Sequence, residues 1–238
     1  MKVTIFNGSP RGKRSNSHQI VEPVLEGARE AGAETQEVFL IEKDIKYCLG
    51  CFACWEKTPG KCAIKDDMEE LIELFLESDY VGLATPVYGM LMTAVLKNFT
   101  DRLLPLAMPH IERSEDGGFY HEGRVRHMPR QFFIANAGFP GDHNFDLLKP
   151  YIGMQDMVLE VYRNCGEALQ PGENDPPELF EQIEIFKTAL KEAGRQMVEK
   201  GEISRETVEK IHIPLISDEE YMAQANEYWD EQIEKTDQ

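Results

Sequence analysis

The sequence predicts an α/β fold: a five-stranded parallel sheet with helices on both faces, followed by a helical C-terminal extension. Two observations carry this expectation. Short β-branched apolar runs alternate with helical patterns along residues 1–200, the arrangement that builds a parallel sheet covered on both sides. Three of those runs also end in loops rich in Gly, Pro, Ser or Asn, where open α/β sheets bind their ligands.

The elements follow in order. "KVTIFN" (2–7) is the first strand and runs into "GSPRGKRSNS". A helix over 17–31 has Ile20, Val21, Val24, Leu25 and Ala28 on one side and "AGAE" as its stop. "TQEVFLI" (35–41) is the second strand, and a cysteine-rich loop (47–62) comes next. Asp66 is placed to N-cap the following helix with Glu69 as capping-box partner; Leu71, Ile72, Leu74, Phe75 and Leu76 supply its apolar residues. "YVGLATPVYG" (80–89) reads as a buried strand and "TAVLKNFTDRLL" (93–104) as a helix. Residues 110–129 are polar and glycine-rich and read as a hairpin or flap. "RQFFIANAGFPG" (130–141) is the fourth strand with its loop, 143–155 is helical, "MVLEVYRNCG" (157–166) is the fifth strand, and a helix runs from 177 to 200. The extension, 201–238, is amphipathic, broken by "IPLIS", with Tyr221, Ala225, Tyr228 and Trp229 as one apolar stripe.

Composition removes some functions. A net charge of -18 argues against nucleic acid as a partner, because tracking phosphates requires a basic face. Acidic helical stretches such as "DDMEELIELFLES" read as solvated faces. No window approaches the length of a membrane span, and the N-terminus enters a strand directly, without a leader pattern. The expectation is a cytoplasmic protein with reduced thiols, where clustered cysteines point to metal binding or catalysis.

Three loops bear chemistry. In the first, Ser9, Arg11, Ser15, Asn16 and Ser17 precede a helix N-terminus, where hydroxyls, backbone N–H groups and a guanidinium can cradle a phosphate. The loop lacks the glycines of G-x-G-x-x-G and the Gly-Lys-Ser/Thr of a Walker A loop, so a phosphate monoester fits better than a dinucleotide or nucleoside triphosphate. In the second, Pro86, Val87, Tyr88 and Gly89 offer an aromatic and exposed backbone to a flat heteroaromatic ring. The third, "ANAGFPG", lies after the fourth strand. Lys97 and the pair Asp101 and Arg102 follow the second loop at helical spacing, where ion pairs that hold the helix in place are the plainer role. His110, His121, His127 and His143 form no metal-ligand spacing, and Cys165 reads as core.

"GSPR…SNS", "PVYG…LKNFTDR" and the C-x-G-C-x-x-C loop together resemble the flavodoxin-like NADPH-dependent FMN reductase and quinone reductase families, over about residues 1–195. The four-cysteine spacing is similar to that of the iron–sulfur flavoproteins in the same superfamily. The resemblance implies a flavodoxin-like domain (1–200) with FMN held through its phosphate at Ser9, Arg11, Ser15, Asn16 and Ser17. The isoalloxazine would meet Pro86, Val87, Tyr88 and Gly89, with Ala137 and Gly138 on the third loop. It further implies NAD(P)H as co-substrate and a homodimer or higher homo-oligomer.

Cys48, Cys51, Cys54 and Cys62 read C-x2-C-x2-C-x7-C. That spacing suits a [4Fe–4S] cluster, with Gly50 and "TPGK" letting the chain fold back to Cys62. It also suits thiols that merely pack with Phe52 and Trp55, a Cys51–Cys54 redox pair, or zinc. Three functions stand side by side. One is an NAD(P)H oxidoreductase passing electrons through FMN to a quinone, flavin or other small acceptor, with no assigned catalytic side chain. Another is an electron carrier whose cluster takes electrons from a ferredoxin-like donor. The last is a flavodoxin-fold binding module without catalysis. Anaerobic spectra and iron analysis discriminate among them.

Overall fold

The computed structural model describes residues 1–236 apart from 155 and 174. Five parallel strands form the sheet: β1 (Lys2–Asn7), β2 (Glu34–Phe39), β3 (Tyr80–Tyr88), β4 (Arg130–Asn136) and β5 (Met157–Arg163), in the order β2-β1-β3-β4-β5. The chain reverses its winding between β1 and β3, so the loops after these two strands diverge and leave a crevice at the C-terminal sheet edge. Two-residue strand Leu91–Met92 folds back antiparallel on the end of β3.

Helices cover both faces, as expected. On one side lie α1 (Asn16–Glu30) and α4 (Pro177–Lys200), burying Ile20, Val24, Phe186 and Leu190 against Val3, Ile5 and Phe132. On the other lie α2 (Met68–Glu77) and α3 (Ala94–Asp101), whose Phe75 and Phe99 flank Phe6 of β1. The three central strands, β1, β3 and β4, are buried almost throughout, which is why they lack a polar alternation.

Packing of α1 on α4 requires two glycines. A Cβ on Gly27 would lie 1.8 Å from the Lys191 carbonyl oxygen, and one on Gly194 would lie 2.0 Å from that of Val24. Each helix backbone therefore sits in a notch left by the other's missing side chain.

Several boundaries differ from expectation. The second strand ends at Phe39, where Leu40–Glu42 turns as a 3-10 helix. The expected 93–104 helix stops at Asp101. The expected 143–155 helix is a 3-10 turn, Asp142–Phe145, then a short helix, Leu148–Ile152; its last residue, 155, lies outside the described residues. The Asn144 side chain donates to the carbonyls of Pro140 and Gly141, holding that segment as a turn. The flap is a hairpin of strands Ala107–Arg113 and Phe119–Gly123.

The extension folds as α5 (Arg205–Ile211) and α6 (Asp218–Thr236); residues 237 and 238 lie outside the described set. It shares the core of α1 and α4 through Ile211, Leu215 and Tyr221. Buried Arg163, at the end of β5, donates to the carbonyls of Ile211 and Ile213. The expected apolar stripe divides: Tyr221 is buried and Ala225 packs on the core, while Tyr228 and Trp229 are 55% and 60% exposed. A short tapering contact leaves the outer half of α6 free of the core. No helix among the described residues is long and apolar enough to cross a membrane.

The capping box is not formed. Asp66 Oδ1 accepts the Met68 N–H at 3.2 Å, one residue before the assigned cap Asp67, but Glu69 reaches away to Lys61 Nζ at 3.0 Å. Asp66 is instead committed to Arg102, a buried ion pair of 2.6 Å whose side chains are 0% and 1% exposed. Burial pushes the Asp66 carboxyl up, but hydrogen bonds from Arg102, Lys46 and Met68 outweigh it and hold it below its ordinary value.

Two outcomes follow for stability. Gly194→Ala should destabilise by about 1–3 kcal/mol in urea titrations, since the helices must separate to admit the methyl. Asp66→Asn should cost about 3–5 kcal/mol at pH 7 by stranding a buried guanidinium. The depressed carboxyl contributes its stability above the unfolded value of about 4 and loses it as pH falls through the folded one. The gap between wild type and Asp66→Asn should therefore narrow in urea titrations at pH 3.

Candidate functional site

The loops that leave the C-terminal ends of the strands enclose one cleft of about 500 Å³ at the crevice between β1 and β3. All eleven residues expected from the sequence line it. From the first loop come Ser9, Arg11, Ser15, Asn16 and Ser17. Ser15 caps α1, its Oγ accepting the His18 N–H at 3.1 Å, and the Ser9 N–H donates to Asn7 Oδ1 at 2.9 Å. Ser9, Ser15, Asn16 and Ser17 are buried polar residues packed around the first turn of a fifteen-residue helix. That turn carries free N–H groups and the positive end of the helix dipole.

The second loop is a two-residue hairpin. Gly89 and Met90 have φ of 57° and 69°, the left-handed pair a type I′ turn requires, and Tyr88 pairs with Leu91. Tyr88 stands at the rim, 49% exposed. The third loop brings Ala137 and Gly138, with Asn136, Phe139 and Asn144. Asn136 Nδ2 donates to Ser17 Oγ at 2.7 Å, joining this loop to the first.

Sequence reasoning missed a fourth wall. Glu167 follows β5 and lines the cleft, and its Oε1 accepts from Arg11 Nη1 at 2.9 Å. That hydrogen bond raises the Arg11 guanidinium pKa further above its already high ordinary value. Gln170 from the same segment donates to Asn16 Oδ1, and the Gly166 N–H donates to the Ala137 carbonyl at 2.8 Å. Asn-Cys-Gly after the fifth strand was the available signal: Cys165 takes a left-handed φ of 50°, and a Cβ on Gly166 would sit tightly against the Ala137 carbonyl at 3.1 Å. Cys165 is core, as expected. The extension also reaches the third loop, with Tyr221 Oη donating to the Gly138 carbonyl at 2.7 Å.

Cys48, Cys51, Cys54 and Cys62 line a second, smaller pocket with Leu49, Phe52, Ile64, Arg102 and Pro105. The turn at "TPGK" works as expected: the Gly60 N–H donates to the Cys54 carbonyl at 3.0 Å, Gly60 has φ of 83°, and the chain returns to Cys62. Burial, then the neighbouring cysteines, push the Cys54 thiol above its ordinary pKa. Trp55 Nε1 donates to the Ala107 carbonyl at 3.0 Å, and its ring packs on Phe52 and on His121 of the hairpin. This pocket shares no residue with the cleft. Asp101, the last residue of α3, and Arg102, which follows it, line this second pocket.

His18, Glu22 and Glu37 also gather ligand atoms within 4.8 Å. His18 Nδ1 and Glu37 are already hydrogen-bonded at 2.7 Å, and Asn7 donates to Glu37 at 2.8 Å, so the group acts as a bridge between α1, β1 and β2.

The chain is similar in sequence and fold to known proteins. The family model described as NADPH-dependent FMN reductase matches residues 1–116. An iron–sulfur flavoprotein of Archaeoglobus fulgidus is 40% identical over 118 residues, 50% of this chain and 52% of that protein, so the match spans about half of the relative. One from Methanocaldococcus jannaschii is 34% identical over 174 residues, 73% of this chain and 86% of the relative. Among solved structures, the FMN-dependent NADH-azoreductase of Bacillus anthracis in complex with FMN superposes with a TM-score of 0.59 at 17% identity, covering 83% of this chain and 99% of that one. That likeness shows the flavodoxin-like fold. The extent of the Methanocaldococcus match decides the matter: the chain belongs to the iron–sulfur flavoproteins.

Proposed function

We propose that the chain oxidises NAD(P)H through FMN bound in the 500 Å³ cleft and delivers the electrons to a quinone, a flavin or another small acceptor. One observation carries this reading: three strand-end loops, far apart in sequence, converge on one cleft at the topological switch point. Bound flavin supplies the hydride and electron chemistry. The chain's own residues bind, orient and shield. Ser9, Ser15, Asn16 and Ser17 present buried hydroxyls and an amide to the phosphate, with α1's first turn and Arg11 providing positive potential. Pro86, Val87, Tyr88 and Gly89 form one side of the ring slot, and Ala137 and Gly138 form the other. Tyr88, Met90, Leu91 and Phe139 leave apolar surface exposed at or beside the rim, which a second copy covers in the homodimer we infer. We place this chemistry in the cytoplasm, where the five free thiols stay reduced.

The cysteine pocket favours an added electron route, with an iron–sulfur cluster held by Cys48, Cys51, Cys54 and Cys62 and a ferredoxin-like protein as donor. Four thiols face one apolar pocket. Among the described residues no three cysteine sulfurs lie within 4.8 Å of one another.

Anaerobic addition of NADH or NADPH should bleach the flavin band of the purified protein. A protein that retains FMN and is bleached by neither nicotinamide overturns the oxidoreductase reading. Ser15→Ala should weaken FMN binding by about tenfold, read from quenching of FMN fluorescence, because it removes both a phosphate partner and the α1 cap.

A further inference from the structure

We propose that Arg102 is a positioning residue for the cysteine pocket: its guanidinium clamps the two ends of the cysteine loop and donates to the Cys62 sulfur. It thereby holds Cys62 in the ligand set and raises the reduction potential of a centre bound there. The inference rests on the cluster reading given above.

Arg102 follows α3 and is buried to 1% exposure. Its Nη1 donates to the Lys46 carbonyl, just before the loop, and to Asp66 Oδ2, just after it. Its Nη2 donates to Asp66 Oδ1 at 3.0 Å and to Cys62 Sγ at 3.4 Å. Nε is buried without a partner among the described residues. A guanidinium can make these contacts together because its donors form a rigid planar fork; an ammonium cannot.

A clamp on Asp66 alone would not explain a buried arginine, since a buried ion pair roughly breaks even against apolar packing. What the pair gains is a fixed cation against the sulfur that most needs fixing. Seven residues intervene between Cys54 and Cys62, whereas only two intervene between Cys48 and Cys51 and between Cys51 and Cys54. The turn at Gly60 brings Cys62 back. Arg102 supplies the second constraint from a different element. Adding an electron to a tetrathiolate centre makes it more negative, and a cation with an N–H directed at one sulfur favours that reduced form.

The test uses the full chain, with Arg102→Lys and Arg102→Met, reconstituted anaerobically with ferrous iron and sulfide. FMN content and circular dichroism confirm folding. Arg102→Lys should keep iron but show a lower cluster midpoint in EPR-monitored redox titration, a tenfold change in the reduction equilibrium or about 59 mV for one electron. The FMN midpoint should not move, whereas general loosening would shift both. Arg102→Met should lose most of its iron while retaining FMN; if it fails to fold, the Arg102→Lys titration decides. Wild-type iron content and an unchanged cluster midpoint in the folded variants overturn the inference and leave the cluster reading intact. A wild-type chain that keeps FMN but takes up no iron overturns the cluster reading, and the inference with it.

Discussion

The hydroxyl of Thr93 ties together the parts on which both pockets depend. It donates to the Gly8 carbonyl at 2.7 Å and accepts the Leu96 N–H at 3.2 Å, while the Thr93 N–H donates to Thr85 Oγ1 at 3.1 Å. One residue thus joins the end of β1, the end of β3 and the start of α3, at the point where the sheet's winding reverses. Gly8 must be glycine for this, because a Cβ there would meet Leu96 Cβ at 2.5 Å. At its other end α3 anchors the cysteine loop: Asn98 Nδ2 donates to the Ile45 carbonyl at 2.7 Å, and Arg102 grips Lys46, Asp66 and Cys62. A single short helix is therefore tied to the ends of β1 and β3 at its N-terminus and to the cysteine loop at its C-terminus.

The cysteine loop lies between β2 and α2 in the chain. In space it occupies the far end of α3, packed on the hairpin through Trp55.

The extension has a similar double character. Arg163, buried under Phe186 with its ring contact at 4.4 Å, is made tolerable by carbonyls of the α5 end. Burial lowers its guanidinium to about 10, with Asp142 opposing. Tyr221 and Asp218 then reach the third loop of the cleft. Residues beyond 200 thus serve as part of the wall behind the site, while Tyr228 and Trp229 remain exposed.

Strand identity, sheet class and three of the cleft's four walls were legible in the sequence because each rests on local chemistry: β-branched runs, a serine cap before a helix, and Pro-Val-Tyr-Gly after a strand. The four-cysteine spacing was equally legible, as was the turn that returns Cys62. What only the tertiary structure decided depends on contacts between residues distant in sequence. Asp66 exchanged a capping box for Arg102, thirty-six residues away. Glu167 joined Arg11 across 156 residues to close the cleft. Arg102, an ordinary helix-end charge in the sequence, became buried against Cys62. A carboxylate or guanidinium takes its role from the partner and the dielectric around it, and neither is written in its neighbours along the chain.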